Sequence, residues 1–189
     1  LEAQSFGGTA PYACAGVAIV KTHYPFARAY ELSEELAKSA KTRVLEVDAS
    51  KQASAIDWHV STSGLSGELK EIRRREYMGA EGPLWSRPLL LDSGRFSSWR
   101  TWPDFIDLVE AFQKDWQEQK NKMAALRVAL RQGQTAVRQF TTIYKPDPPL
   151  PTLTVTRVDL QDGWITEEGQ SRSAYFDASE MAEQYWSLP

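Results

Sequence analysis

The run Ala13-Cys14-Ala15-Gly16-Val17-Ala18-Ile19-Val20, followed shortly by Pro25, constrains this chain more than any other feature. A short, continuous apolar run with Val, Ile and a single Gly predicts a central strand covered on both faces. Pro25 lacks the N–H that a first helical turn would leave unsatisfied, so it is suited to open a helix. Phe26, Ala29, Leu32, Leu36 and Ala40 then recur at helical spacing, with Glu31, Glu34, Glu35 and Lys38 between them. This pattern predicts an amphipathic helix of about four turns ending near Lys41. Arg43 to Val47 predicts a short strand. Ile56 to Val60 alternates apolar with polar, as a half-buried strand does, which turns His59 outward.

Ser61-Thr62-Ser63-Gly64 breaks that pattern and sets the expected boundary between a first domain, residues 1–63, and a mainly helical region, residues 64–189. Leu65, Leu69 and Ile72 mark a short helix carrying Lys70, Arg73, Arg74 and Arg75 on its other faces. Arg87-Pro88 leads into a brief strand, Leu89 to Leu91. Thr101 with Asp104 three residues on resembles a capping box ahead of Phe105, Leu108, Phe112 and Trp116. Met123, Leu126 and Leu130 share a helix face that stops or kinks near Gly133, and Ala136 to Tyr144 continues it. Four prolines between Lys145 and Pro151 forbid regular structure and predict a stiff surface connection. Thr152 to Val158 reads as a strand, and Asp162-Gly163 as a turn into Trp164 to Thr166, a hairpin. Asp177 or Ser179 starts the last helix, through Met181 and Tyr185. The fold class expected is therefore α+β.

At 189 residues with 42% apolar side chains, the chain suits one domain or two small ones and needs neither disulfide nor metal to hold a core. Its single cysteine, Cys14, cannot form an internal disulfide and suits a reducing, cytoplasmic setting. No apolar run approaches the roughly 18 residues of a membrane helix. The chain opens on Leu1 with no signal-peptide pattern, and is expected to be part of a longer protein. The net charge of −3 conceals an uneven distribution: Lys114 to Arg138 holds six basic and two acidic residues, Asp159 to Glu183 seven acidic and one basic. Either these are solvated or mutually attracting surfaces, or the basic stretch is a groove for phosphates. Six of the seven tryptophans follow residue 80, as core or as a base-stacking or partner surface.

No metal-ligand spacing, Walker loop, nucleophile elbow or dinucleotide fingerprint is present. Cys14, placed inside a buried strand, argues against a Cys–His nucleophile. His23, beside Tyr24-Pro25 at a strand-to-helix turn, is either a turn former or part of a ligand crevice. Asp48 and Asp57 flank a loop, though nothing in their spacing demands a cation. Lys41 and Arg43 either complement the dipole of the first helix or reach the phosphates of a nucleotide.

The order strand, turn, Pro-initiated helix and strand, in the words Cys14 to Val20, Lys21 to Phe26 and Leu36 to Lys41, resembles the second palm domain of the large subunit of type III CRISPR effector complexes. In that family a strand reading Ser-Ala-Gly-Ile-Ala-Ile precedes a His/Lys-Tyr-Pro turn, and the next helix ends in Ala-Lys. Asp57 to Val60 is similar to the family's following strand. Leu126 to Gly133 and Tyr175 to Met181 are similar to its helical carboxyl-terminal region. Cys14 departs from the usual Ser.

The resemblance implies a partial ferredoxin-like palm followed by a helical region with a small β element. Such palms, related to the GGDEF nucleotidyl cyclases, convert ATP to cyclic oligoadenylates when target RNA is bound. The implied chemistry is attack of a 3′-hydroxyl on an α-phosphate at a two-metal site. The family's metal-binding carboxylates lie in a Gly-Gly-Asp-Asp hairpin ahead of the strand matching Ala13 to Val20. Here the only Gly-Gly pair, Gly7-Gly8, is followed by Thr9-Ala10, which offers no carboxylate to a hard cation. The resemblance thus implies no catalytic residue and no metal ligand in this chain, and Mg or Mn only in a full-length parent. It implies nucleotide contact by Lys41, more weakly by Arg43, with His23 as a further candidate. The implied partners are the missing amino-terminal part, ATP, RNA and other effector subunits, with no membrane. The alternative is a non-enzymatic protein- or RNA-interaction module with a degenerate palm. A third possibility is a small domain with an accidental likeness.

Overall fold

The apolar run forms strand β1, Cys14–Ile19, in a computed structural model that describes residues 11–50, 52–61, 67–92, 96–158, 160, 162–167 and 169–184. Two compact units divide the chain. The first comprises Leu1–Leu69 with Pro88–Asp92, and the second Lys70–Arg87 with Ser93–Pro189. The expected boundary at residues 63 and 64, the helix residue Leu65, the pair Gly7-Gly8 and Trp186 lie outside the described residues.

In the first unit β1 leads through a turn into helix α1, Phe26–Val47, and back into strand β2, Ala55–Val60. β1 and β2 are parallel, from Cys14 opposite Ala55 to Ile19 opposite Val60, and strand β3, Leu89–Leu90, adds antiparallel to β2. The sheet order β1-β2-β3 makes β2 the middle strand and leaves β1 at the edge among the described residues, not at the centre as expected. The reason lies in residue size. Gly16 and Ala18 face α1, whereas Val17 and Ile19, on the opposite face, are 40% and 45% exposed. Small residues alternating with large apolar ones read as one continuous apolar run. Cys14 is accordingly half-buried.

α1 does not stop near Lys41. It continues through the segment expected to be a strand, because Val44 falls one turn beyond Ala40 on the buried stripe Leu32, Leu36, Ala40, Val44, with no breaker between. The helix ends where the Asp48 N–H bonds Val44 O at 2.8 Å. Phe26 is not on that stripe and is 83% exposed. His59, expected to face outward, is 2% exposed, and its neighbours Asp57 and Trp58 are buried too, as befits a middle strand. Leu32, Leu36 and Leu69 form a small core against which Ala18 packs, and the Leu69 N–H donates to the Glu35 carboxylate at 2.6 Å.

The second unit contains helices α2, Leu69–Glu76 (all but its first residue), α3, Trp102–Asp115, α4, Lys120–Gln132, α5, Gln134–Tyr144, and α6, Tyr175–Gln184, with a 3-10 turn at Gln117–Gln119. Strands β4, Trp164–Glu167, and β5, Gln170–Ser173, form an antiparallel hairpin. α3 starts as its sequence predicts: Thr101 Oγ1 accepts the Asp104 N–H at 3.4 Å and donates to the Asp104 carboxylate at 3.0 Å. Gly133, at φ 102°, separates α4 from α5.

Three local expectations change. Thr152 to Val158 is not a strand, because the N–H groups of Val155 and Thr156 bond Asp104 Oδ1 at 3.2 and 3.1 Å, replacing a ladder partner with a side chain. The hairpin therefore pairs β4 with the following β5, and Asp162-Gly163 only leads into it. The last helix begins at Tyr175, where Ser173 Oγ accepts the Phe176 N–H at 3.3 Å. Aromatic residues fill this unit. Phe112 meets Trp116 and Tyr175 edge-on at centroid distances of 5.6 and 5.7 Å, and Trp99, Trp116 and Trp164 are buried, in keeping with a core role. No helix among the described residues is long and apolar enough to cross a membrane.

Candidate functional site

The first unit is where the residues singled out for nucleotide contact lie, and its geometry follows from one close approach. A Cβ on Gly16 would stand 2.3 Å from both Ala37 N and Ser33 O, so α1 crosses β1 with no side chain between them. Two residues further along β1, Ala18 packs against the cluster of Leu32, Leu36 and Leu69. α1 therefore runs antiparallel to β1, as the crossover of a parallel strand pair requires. Its amino end lies beside the carboxyl ends of β1 and β2, and its last turns lie beside their amino ends.

That course separates the three candidates. His23 is exposed in the turn after β1, next to the Tyr24 N–H to Lys21 O bond of 2.9 Å. Lys41 lies fifteen residues beyond Phe26, hence about 22 Å along the helix axis at 1.5 Å per residue. Lys41 and Arg43 thus share the opposite end of the unit from His23. They also differ from each other. Two residues apart on a helix means nearly opposite faces: Lys41 is exposed, while Arg43 is 5% exposed and pairs with Glu46 at 3.3 Å. Of the three candidates, only Lys41 is an exposed ammonium group.

The two aspartates considered for a cation do not converge. Asp48 accepts N–H bonds from Ser50 and Gln52, both at 2.9 Å, and so closes the turn after α1. Asp57 is fully buried in β2, where one carboxylate oxygen accepts the Trp58 N–H at 2.8 Å. Among the described residues no group of three or more His, Cys, Asp or Glu side chains could hold a metal ion.

The second unit holds a buried ionic cluster that the sequence did not reveal. Asp177, on α6, accepts the Ser86 N–H at 2.8 Å, the Ser86 hydroxyl at 3.2 Å and the Arg87 N–H at 3.4 Å, all on Oδ2. The Arg87 guanidinium lies 3.5 Å from Asp177 Oδ1 and 4.8 Å from the centre of the Tyr77 ring. Arg100 donates to Ser86 O at 2.6 Å. Burial pushes the Tyr77 phenol up to about 12. Burial, and then the neighbouring Asp177 charge, push the Glu180 carboxyl up to about 7. The only trace in the sequence is the placing of Asp177 and Glu180 among Phe176, Ala178 and Met181, charges set into an apolar stretch. Asp177 and its partners Ser86 and Arg87 are some ninety residues apart, so no local pattern joins them.

The basic and acidic stretches meet each other. Arg127 pairs with Glu183 at 2.8 Å, and Arg138 pairs with Asp162. Arg131 donates to Glu76 O at 2.8 Å and lies over the Phe176 ring at 4.7 Å. These guanidinium groups are engaged within the fold, which favours mutually attracting surfaces over a phosphate groove.

No protein-family model matches the chain, and no curated protein matches it at a significant level.

Proposed function

We propose that the first unit is the carboxyl-terminal half of a nucleotide-binding palm like that of the type III CRISPR large subunit, in which Lys41 contacts the phosphates of ATP. The observation that carries this reading is the antiparallel course of α1. It sets the exposed Lys41 at the amino end of β1, the end into which a preceding metal-bearing hairpin would feed. Arg43, tied to Glu46, supports the helix end, and His23 at the far end has no part in phosphate contact.

Mg or Mn would, in the parent protein, stabilise the attacking and leaving oxygens of a nucleotidyl transfer. The described residues of this chain do not fit such ions, so its own contribution is a positive charge beside the phosphates, with the rigid strand pair that positions it. Alone it is expected to be inactive. Other effector subunits and RNA belong to the same proposal as partners of the complete protein, in a cytoplasmic defence role.

Calorimetric titration of ATP, with Mg or Mn, into the longer parent protein and into this chain tests the reading. The parent is expected to bind and turn over ATP while this chain does neither. Lys41→Ala in the parent should weaken ATP binding about tenfold, the worth of one charge-assisted contact of about 1.4 kcal/mol. Unchanged affinity removes Lys41 from the site. If neither protein binds ATP, the palm is degenerate and the alternative of an interaction module takes its place.

A further inference from the structure

The third strand of the first unit's sheet arrives on a loop that starts and ends in the second. The chain leaves the second unit at Arg87, gives Pro88–Asp92 to the first and returns from Ser93. Within that excursion β3 is two residues long, with Leu90 opposite Ala55 and Leu89 opposite Ile56. One more bond runs from the Leu91 N–H to Ser54 O at 2.9 Å. Strands in folded proteins commonly reach about five or six residues, so this ladder alone holds β3 weakly. Leu89 and Leu90 are nevertheless 1% and 0% exposed.

The two feet of the loop are fastened to each other. Ser86 and Arg100, fourteen residues apart, are joined by the Arg100 Nε–H, which donates to Ser86 O at 2.6 Å. On its other side Ser86 gives both its N–H and its hydroxyl to Asp177 of α6. Arg87 adds its own N–H to the same carboxylate, and its guanidinium lies 3.5 Å from the second oxygen. Ser86, Arg87, Arg100 and Asp177 are all buried. Bringing the ends of a loop together costs chain entropy, and this clamp takes that loss whether or not β3 is paired. Pro88 carries the constraint onward. Its ring fixes its own φ and disfavours helical geometry at Arg87, so one stiff, extended step separates the clamped Arg87 from Leu89.

We propose that the Asp177 clamp is a latch through which α6, in the second unit, controls completion of the first unit's sheet. With the latch closed, β3 covers the edge of β2 at Ser54 and Ile56. With it open, β3 leaves together with residues 86 and 87, while β1, α1 and β2 stay folded. A partner that draws α6 away from Ser86 thereby uncovers the edge of β2 without touching it. The proposal does not depend on the palm reading.

Hydrogen exchange of the intact chain, read by NMR at increasing low concentrations of urea, tests it. The amides of Ser86, Arg87, Leu89 and Leu91 are expected to converge on one opening, of lower free energy than the opening shared by Val17 and His59 in the β1–β2 ladder. Asp177→Ala should speed exchange at Leu89 and Leu91 by about tenfold or more, and at Val17 and His59 by less than about twofold. Should that variant fail to fold, Arg100→Gln, which loosens the other side of Ser86, is expected to give the same pattern. Val137→Ala, a core truncation in α5, controls for general loss of stability and should leave the β3 opening unchanged. Leu89 and Leu91 amides that open only together with Val17 and His59 in the wild-type chain overturn the proposal. So does a folded Asp177→Ala chain in which Leu89 and Leu91 exchange as in the wild type, or a Val137→Ala chain that loses β3 protection equally.

Discussion

Replacing Glu180 by Gln should remove a pH dependence of stability that the wild-type chain carries between about pH 4.5 and 7. Glu180 is half-buried on α6, and burial raises its carboxyl from 4.5 to about 7, with Asp177 one turn earlier adding to the shift. Arg87 and Arg127, and a hydrogen bond with Tyr77, act in the opposite direction without cancelling it. The folded state therefore holds its proton through a window in which the unfolded chain has released it. Stability associated with this group is fully present below pH 4.5 and is lost as pH rises through 7. At about 1.4 kcal/mol per decade of proton affinity, the whole loss is about 3 kcal/mol. Gln has the shape of the protonated acid and does not titrate. Urea unfolding, followed by the fluorescence of the buried Trp116 and Trp164, should show the two proteins equally stable at pH 4.5. The variant should be more stable by about 2–3 kcal/mol at pH 8.5. Parallel curves across that range would refute the argument, and so would a variant less stable at high pH.

Two other substitutions test the packing. Gly16→Ala places a methyl group 2.3 Å from the backbone of α1 at Ser33 and Ala37, and should destabilise the first unit by roughly 1–3 kcal/mol in thermal or urea unfolding. A neutral result would mean that α1 does not cross β1 at Gly16. Asp177→Ala removes the carboxylate that lies 3.5 Å from the buried Arg87 guanidinium and that accepts the Ser86 N–H. It should cost about 3–5 kcal/mol, and the double variant Arg87→Met with Asp177→Ala should cost less than Asp177→Ala alone. Additive losses would show that the two side chains do not depend on each other.

What the sequence disclosed and what it hid follow from the range of the interactions involved. The start of α3 was legible because Thr101 and Asp104 bond each other across one turn, and the α4 stripe was legible because its period lies within a single element. The position of β1 was not. Edge or centre depends on β3 joining β2, an event 29 residues downstream of Val60, the last β2 residue paired with β1, and the Gly16–Ala18 face disguises a half-exposed strand as a buried one. His59 was misplaced for the same reason, since alternation tells which residues share a face and not whether the second face is covered. Extending α1 past Lys41 required weighing the β-branched Val44 and Val47 against their helical spacing, and tertiary burial of Val44 outweighs propensity there.

The candidate site shows the same limit with a functional consequence. The sequence singled out Lys41 and, more weakly, Arg43 through the family resemblance, and His23 separately as a residue of the strand-to-helix turn. A helix as long as α1, however, carries its two ends to opposite ends of the sheet, so no small ligand touches all three. Under the proposed nucleotide-binding function, the choice among them rests on which end of β1 the nucleotide would occupy. The family resemblance and the exposure of Lys41 point to the amino end, where Arg43 is already held by Glu46. An ATP-binding parent whose affinity depends on His23 and not on Lys41 would move the site to the other end of the sheet, and with it the whole correspondence between β1 and the strand that follows a metal-binding hairpin.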